Sequence, residues 1–275
     1  MKRIFISALF SVMLISSSAG DDFNWINIGT SDEFCGIRNY TFQSGERITY
    51  KVYYSVIGIF IDAGTAQFTL NKARLNDKMY YHAIGDGYSN PTYDWIFKVR
   101  DRYETYIDTL TLKPYNFIRK VEEGNYKKTE NVVFNQDAGT AVTTRGTFAI
   151  PTCVQDVVSA IYYARNLDYS RYKPGDKIPF SLFLDDEVTN LYIRYVGKQT
   201  VKTKYGKFRA ILLKPILVKG TIFEGGEKMN VWVSDDANHI PLRVESPISV
   251  GSVKVDMMGY ANLRYPLSSR ISVKF

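Results

Sequence analysis

The chain has 275 residues, 45% of them hydrophobic and 15% aromatic, and a formal net charge of +7 at pH 7. This length allows one large β domain or two small ones, with a core large enough to fold without a metal or disulfide. Lysines and arginines are scattered among acids, as in KVEEGNYKKTE at 120–130, so we expect no binding to nucleic acid. A basic surface could touch an anionic membrane, but a solvated surface of mixed charge is the favoured interpretation.

Residues 1–19 predict a secretory signal peptide. Two basic residues precede the apolar run IFISALFSVMLIS at 4–16, and the small residues at 17–19 then provide a cleavage site. The apolar run is shorter than a membrane-spanning helix needs, although an uncleaved N-terminal anchor is the alternative. No cysteine stands at the cleavage point, so we expect no bacterial lipoprotein anchor. Residues 20–275 are then expected to form a single exported, β-rich domain.

Strands are predicted from residue 46 onward, where Ile48, Tyr50 and Val52 alternate with polar residues in the period of a half-buried strand. Gly124 and Asn125 mark a two-residue hairpin turn. In chain order the predicted strands are 46–57, 63–73, 78–89, 102–109, 115–124, 126–137, 139–146, 178–186, 188–203, 207–217, 225–236, 240–246 and 251–263. Because helices do not alternate with these strands, we predict a mainly β fold, an antiparallel, strongly curved sheet or open barrel.

One amphipathic helix is predicted at 152–166, within PTCVQDVVSAIYYARN. Thr152 as N-cap and Gln155 three residues later would form a capping box. The apolar face follows the helical spacing i, i+3, i+4, i+7, i+8 and consists of Val154, Val157, Val158, Ile161 and Tyr162. The more polar face, expected in water, consists of Gln155, Ser159, Tyr163 and Asn166. We expect the helix to pack on the concave face of the sheet, as a plug or lid.

The two cysteines, Cys35 and Cys153, are candidates for a disulfide. In an oxidising compartment the bridge would join the N-terminal segment to the start of the helix. It would contribute roughly 4–5 kcal/mol in the loop-entropy model. Two buried free thiols are the equal alternative, because sequence does not reveal the geometry that a bridge requires.

No catalytic or metal-binding motif is recognisable. His82 and His239 are far apart, and no His or Cys spacing typical of a zinc site occurs. The chain has no G-x-S-x-G elbow, P-loop or dinucleotide fingerprint. Adjacent acids such as Glu122 and Glu123 point to opposite faces of a strand. We therefore expect no metal, no cofactor and no enzymatic activity.

Aromatic residues are the unusual feature of the composition, with 21 tyrosines, 16 phenylalanines and 3 tryptophans. Exposed aromatic side chains could line an apolar ligand cavity. The alternative is a β-rich core that uses aromatics because strands favour them. The candidates for a ligand surface are Tyr162, Tyr163, Trp95 and Trp232.

Several segments, in their order and spacing, carry a resemblance to a known family: GERITYKVYYSVIGIFIDAGTAQFTL (45–70), FKVRDRYETYID and LKPYNFIRKVEEGNY (within 97–126), PTCVQDVVSAIYYARN (151–166), YGKFRAILLKP (205–215) and VWVSDDANHIPLRVESPISVGSVKVDM (231–257). The positions that carry it are Gly45, Glu46, Ala63, Gly64, Asp101, Pro114, the helix from Asp156 to Arg165, Gly206, Trp232, Asp236, Pro241 and Gly251. They resemble the uncharacterised family "domain of unknown function 3108", in its Bacteroidetes form. The resemblance implies an exported Gram-negative protein of mainly antiparallel β structure, and it brings no agreed activity or catalytic residues.

Within this resemblance, we expect Asp156 and Arg165 to be structural, pairing with the sheet or capping chain ends. By looser analogy through fold alone, curved sheets that hold a helix in the periplasm are similar to lipoprotein-carrier folds, which bind acyl chains. The leading hypothesis is therefore a periplasmic, non-enzymatic protein that binds a lipid or other apolar ligand. The alternatives are a module with a full core that docks an envelope protein partner, and a polysaccharide hydrolase in which Asp101 or Glu104 faces a second carboxylate.

Overall fold

A computed structural model of the chain describes residues 35–56, 59–216, 226–248 and 250–271. The predicted signal peptide at 1–19 lies outside these described residues. The strands are β1 (Glu46–Val56), β2 (Ile59–Leu75), β3 (Lys78–Ser89), β4 (Arg100–Asp108), β5 (Pro114–Glu123), β6 (Tyr126–Asn135), β7 (Thr140–Thr143), β8 (Gly146–Ala149), β9 (Lys177–Leu184), β10 (Glu187–Thr203), β11 (Gly206–Pro215), β12 (Asn230–Ser234), β13 (Pro241–Pro247), β14 (Ser252–Ala261) and β15 (Arg270–Ile271). The helix α1 spans Val157–Arg165, and short 3-10 turns lie at Pro91–Tyr93 and Tyr169–Arg171.

The described strands form one antiparallel sheet. Strands β8 to β1 lie side by side in reverse chain order, β1 pairs with β14, and the order then continues down to β9. The sheet therefore has β8 at one end and β9 at the other, with β15 paired only to β11. This confirms the predicted mainly β, antiparallel architecture.

Local patterns in the sequence explain most of the strands. The predicted turn at Gly124 and Asn125 joins β5 to β6, because Glu123 pairs with Tyr126 across it. In β4, alternate residues from Asp101 to Ile107 point inward and are buried. The short strands β8 and β15 were missed, since four and two residues are too few for a periodic pattern.

The free edge of β9 is covered by the segment that leads into the helix. The backbone N–H of Gln155 donates to the carbonyl of Ser181 at 2.9 Å, and the N–H of Phe183 donates to the carbonyl of Gln155 at 2.9 Å. Because its backbone groups are used in this way, Gln155 is extended rather than helical. An edge strand that would otherwise expose unpaired backbone groups is thereby protected.

Side chains join the two ends of the sheet. Asp185, in the turn between β9 and β10, forms ion pairs with Arg119 of β5 and Lys128 of β6. Its neighbour Asp186 forms an ion pair with Arg145, in the turn between β7 and β8. The sheet thus curves until its ends touch without a backbone ladder between them, as in the predicted open barrel.

The helix begins later than predicted. Asp156 is its N-cap, and the carboxylate accepts hydrogen bonds from the backbone N–H groups of Val158 and Ser159 at 2.8 and 2.9 Å. The hydroxyl of Ser159 in turn accepts from the N–H of Asp156 at 2.9 Å, which completes the capping box. The predicted box of Thr152 and Gln155 is wrong, because the backbone of Gln155 pairs with β9.

The side of the helix that was expected to face water is covered by protein, so that prediction is also wrong. Ser159 and Tyr163, placed by the sequence on the polar face, are fully buried. Ile161, placed on the buried face, is 36% exposed. The amphipathic pattern failed because a helix inside a curved sheet has protein on more than one side.

The N-terminal segment 35–42 supplies part of that second cover. The backbone N–H of Tyr40 donates to Oδ1 of Asn166, the C-cap of α1, at 2.6 Å. Phe42 is fully buried and packs edge-on against Tyr162, with ring centroids 5.0 Å apart. A segment that precedes the first strand therefore holds the end of the helix.

A disulfide links the same segment to the start of the helix. Cys35 and Cys153 are bonded, with their Cα atoms 5.6 Å apart. No cysteine in the described part of the chain is free. The bridge closes a loop over a separation of 118 residues.

Two apolar clusters form the core. The larger one contains buried residues of α1 together with residues of β5 and β9, such as Val158, Phe117 and Phe183. The smaller one lies between β1, β13 and β14 and includes Ile48 and Val255. No helix within the described ranges is long and apolar enough to cross a membrane.

Candidate functional site

A cavity of about 200 Å³ lies between α1 and the inner face of the sheet. One wall is the helix, and the opposite wall is built from inward-facing residues of β1, β2 and β9 to β14. The lining residues are Ile48, Tyr50, Phe68, Val157, Val158, Ala160, Ile161, Tyr162, Ala164, Arg165, Tyr169, Phe180, Ile193, Leu213, Pro215, Ile216, Met229, Val231, Val233, Pro241, Val244 and Val255. A space lined in this way is suited to an apolar guest.

Among the described lining residues, Arg165 is the one charged side chain, and its charge is already paired. Its Nη1 and Nη2 atoms lie 2.6 and 2.8 Å from the two carboxylate oxygens of Glu46, at the start of β1. Its Nε donates to the carbonyl oxygen of Asn238 at 3.1 Å. Both members of the pair are almost fully buried. A bidentate pair of this kind leaves no free charge to attract an ionic ligand.

The surroundings keep each group of the site in one protonation state. Burial disfavours the charged form of Arg165, but Glu46 outweighs burial and raises the arginine pKa above its ordinary value. The guanidinium also lies 5.5 and 5.4 Å from the ring centroids of Phe42 and Tyr162. Burial raises the pKa of Tyr50 and Tyr162, so their hydroxyls stay neutral. The cavity wall therefore carries no net charge near neutral pH.

The four aromatic candidates from the sequence do not come together. Tyr162 lines the cavity. Tyr163 is buried on another side of α1, and Trp232 lies between two cavity-lining neighbours on β12, so its side chain points to the opposite face of the strand. Trp95 is 84% exposed and lies in the segment between β3 and β4. Among the described residues, Tyr162 alone of the four contacts the cavity.

Other cavity residues were present in the sequence pattern but were not singled out. Ile48 and Tyr50 belong to the inward-facing set of β1, which alternation does predict. Ile161 belongs to the apolar face of the helix. What the sequence lacked was a signal that these faces leave a gap, since a gap depends on how distant elements pack.

A pair of carboxyl groups lies apart from the cavity, at the other side of the barrel interior. Asp101 of β4 is almost fully buried, accepts a hydrogen bond from the N–H of Glu122 at 3.1 Å and hydrogen-bonds the side chain of Glu123. Burial, with a contribution from the negative charge of Glu123, raises the pKa of Asp101 to about 8. The two carboxyl groups hydrogen-bond each other directly, whereas a glycoside hydrolase needs its two carboxyl groups roughly 5–9.5 Å apart across a cleft. The buried Asp101 also offers no access to a polysaccharide.

The other acid named for that alternative, Glu104, is occupied. Its carboxylate accepts a hydrogen bond from Nε of Arg102 at 2.8 Å and lies 2.9 Å from Nε2 of His82. His82 belongs to β3, and Arg102 and Glu104 belong to β4, its neighbour in the sheet. Within the described ranges, no group of three or more His, Cys, Asp or Glu residues is placed to hold a metal ion.

Comparison with solved structures found matches at low sequence identity. A β-barrel-like protein of the domain of unknown function DUF1849 from Brucella abortus is 11% identical, has a TM-score of 0.53, and the match covers 82% of this chain and 99% of that chain. A candidate lipoprotein from Parabacteroides distasonis is 13% identical with a TM-score of 0.38, and the match covers 82% and 100% of the two chains. A candidate exported protein from Bacteroides fragilis is 12% identical with a TM-score of 0.33 and the same coverages. The Brucella protein shows a shared β-barrel-like fold and nothing further.

The family assignment comes from the sequence itself. No curated protein matches the chain. The profile of the family described as Protein of unknown function (DUF3108) matches residues 49–258, which is well over half of the chain. The match includes the strands β2 to β13 and the helix α1, and it confirms the resemblance read from the segments above. The chain belongs to the DUF3108 family.

Proposed function

We propose that this protein is an exported, non-enzymatic binding protein that holds an uncharged apolar ligand, such as a lipid chain, between α1 and the sheet. The observation that carries the proposal is the apolar cavity of about 200 Å³. The cavity is lined almost entirely by apolar side chains and is partly open to the surface at Ile161, as ligand sites commonly are. A gap that an apolar guest fills regains the dispersion contacts that an empty one lacks.

The size of the cavity limits the guest. An engineered apolar cavity of about 150 Å³ stays dry and binds benzene, so a space of about 200 Å³ accepts a somewhat larger apolar group. A segment of an acyl chain fits this description, with the rest of the molecule outside the barrel. Because Glu46 neutralises Arg165, a ligand carboxylate gains nothing from this arginine.

Export to the periplasm of a Gram-negative bacterium is part of the proposal. The signal-peptide pattern at 1–19 supports it. The disulfide between Cys35 and Cys153 supports it as well, because disulfides persist in oxidising compartments. The expectation that the protein is not an enzyme stays a prediction, and an assay of envelope polysaccharide hydrolysis with an Asp101→Asn control would test it.

The experiment for ligand binding compares a variant that fills the cavity with one that does not. We expect purified protein to release lipid on organic extraction and, once delipidated, to bind N-phenyl-1-naphthylamine, an uncharged apolar fluorophore. Ile161→Trp places a bulky indole ring at the cavity wall and should weaken fluorophore binding at least tenfold. Val142→Trp, on the exposed side of β7, should bind as the wild type does.

Two results would count against the proposal. One is wild-type protein that neither carries lipid nor binds the fluorophore. The other is unchanged binding by a folded Ile161→Trp protein. Either result would favour the alternative, a structural module that docks an envelope protein partner.

A further inference from the structure

We propose that one end of the barrel docks on an anionic lipid bilayer through a set of exposed apolar side chains. We call this set the aromatic rim, and it consists of Ile59, Phe60, Tyr93, Trp95, Ile96 and Val250. The proposal concerns the outer surface of the protein. It holds whether or not the cavity binds a ligand.

The strand register places the first part of the aromatic rim at one end of the barrel. Val56, the last residue of β1, pairs with Ile59, the first residue of β2. Beside it, Ser55 pairs with Ser252 at the start of β14. The connection that contains Val250 therefore lies next to the β1–β2 hairpin.

Hydrogen bonds hold the remaining connections of this end together. The hydroxyl of Tyr54 donates to the carbonyl of Val250 at 2.9 Å. The backbone N–H of Asn90, which opens the segment containing Trp95, donates to the carbonyl of Ala63 on β2 at 2.8 Å. The side-chain amide of Asn90 donates to the carbonyl of Asp62 at 3.4 Å. The three connections thus stand together at this end.

The side chains of the aromatic rim are largely exposed to solvent, although they are apolar. Trp95 is 84% exposed, Ile59 is 68% exposed, and Phe60 and Ile96 are each 55% exposed. Single exposed apolar residues are common on protein surfaces, but a cluster on neighbouring connections marks an interaction site. Burying these side chains against a partner would therefore lower the free energy.

The chemistry of the aromatic rim favours a bilayer over a flat protein surface. Its apolar side chains are spread over the start of β2 and two connections rather than over one flat sheet face, and Trp and Tyr prefer the headgroup region of membranes. Lys254 lies beside them, with Nζ 3.9 Å from the ring centroid of Phe60. The lysine ammonium can pair with lipid phosphate, and the net charge is still +5 without Lys2 and Arg3 of the predicted signal peptide, which adds attraction to an anionic surface.

The opposite end of the barrel supplies a matched control. Strand β4 runs from Arg100 to Asp108, away from the aromatic rim, and the turn that follows it carries Leu110, which is 75% exposed. Leu110 is thus a large exposed apolar residue on a turn, as Ile96 is, but at the far end. Replacing it removes an apolar area comparable to that of Ile96 without touching the proposed surface.

The test is co-sedimentation of the purified protein with vesicles of phosphatidylethanolamine and phosphatidylglycerol. We expect binding that is stronger than to phosphatidylcholine vesicles and that weakens with added salt. The double variant Trp95→Ser with Ile96→Ser should bind at least tenfold more weakly, and Lys254→Gln several-fold more weakly. Leu110→Ser should bind as the wild type does.

Several outcomes would overturn the proposal. They are no binding of wild-type protein to either vesicle, equal binding by the Trp95 and Ile96 double variant, or an equal loss with Leu110→Ser. A concentration-dependent dimer that the double variant abolishes would instead assign the aromatic rim to a second copy of the chain. Ile161→Trp fills the cavity but leaves the aromatic rim unchanged, so it should bind vesicles as the wild type does. This variant separates the two proposals, because loss of ligand binding does not affect docking through the aromatic rim.

Discussion

At the scale of single residues, the pair of Arg165 and Glu46 decides the character of the site. The guanidinium stands at the end of α1 and the carboxylate at the start of β1, so the pair ties the helix to the sheet. It also places a charge next to an apolar cavity and neutralises it there. Removal of one buried partner leaves the other without compensation, which costs far more than removal of both.

Glu46→Gln should therefore destabilise the protein by about 3–5 kcal/mol, since it leaves a buried guanidinium unpaired. Urea unfolding at pH 7 measures the loss. The double variant Glu46→Leu with Arg165→Met, which removes both charges, should lie within about 1 kcal/mol of the wild type. If the double variant were as unstable as Glu46→Gln, the cost would not come from an unpaired buried charge, and the prediction would be wrong.

A second residue-scale prediction concerns Asp101 and pH. The pKa of Asp101 is raised to about 8 by burial and by Glu123, whereas an unfolded aspartate titrates near 3.9. Between these values the folded state holds a proton that the unfolded state has lost. The stabilisation from this proton is complete below about pH 4 and is lost as pH rises through about 8.

Asp101→Asn should remove this dependence. We expect the variant to gain stability relative to the wild type as pH rises from 5 to 9, because asparagine needs no proton to stay neutral. Unfolding in urea at each pH measures the difference. A constant difference between the two proteins across this range would mean that Asp101 does not titrate as described.

At the scale of elements, α1 is held by its cap and by the strands around it. Asp156 accepts hydrogen bonds from the first turn of the helix and from the hydroxyl of Thr105 on β4 at 2.6 Å. Burial raises its pKa to about 6, against the lowering effect of these hydrogen bonds. The sequence predicted that this helix exists and that Asp156 has a structural role. It misplaced the N-cap, because the competing use of Gln155 by β9 is a tertiary contact.

Asp156→Ala should cost about 2 kcal/mol, since it removes a buried cap and leaves the hydroxyl of Thr105 without its acceptor. Asp168→Ala is the matched control, because the exposed Asp168 caps the 3-10 turn at Tyr169–Arg171 in the same way. The control should lose less than about 0.5 kcal/mol. Thermal and urea unfolding compare the two, and equal losses would argue against a special role for the buried cap.

At the scale of the whole molecule, contacts between distant segments bring the two ends of the open barrel together and cover the helix. The disulfide of Cys35 and Cys153 spans 118 residues, and the side chains around Asp185 join the two ends of the sheet. The fold class was predictable because many strands each carry a local alternation. The covering of the helix by residues 35–42 was not, since no periodicity in that segment signals its partner.

The disulfide should stabilise the protein by about 4–5 kcal/mol, because a loop of this length loses much entropy when it is closed in the unfolded chain. The Cys35→Ser with Cys153→Ser variant, compared with the wild type in urea, measures the effect. Wild-type protein under a reducing agent should match the variant. An oxidised wild type no more stable than the variant would contradict the prediction.

By itself the sequence determined most of the strands, the antiparallel class of the sheet and the presence of one helix, because alternation and helical spacing are properties of neighbouring residues. It also determined the family, since the matching segments span most of the chain. Only the tertiary structure decided that the expected water-facing side of α1 is covered, that a cavity of about 200 Å³ stays between helix and sheet, and that Arg165 meets Glu46, 119 residues away. These features depend on how surfaces from distant parts of the chain pack together, and local sequence patterns do not predict that packing.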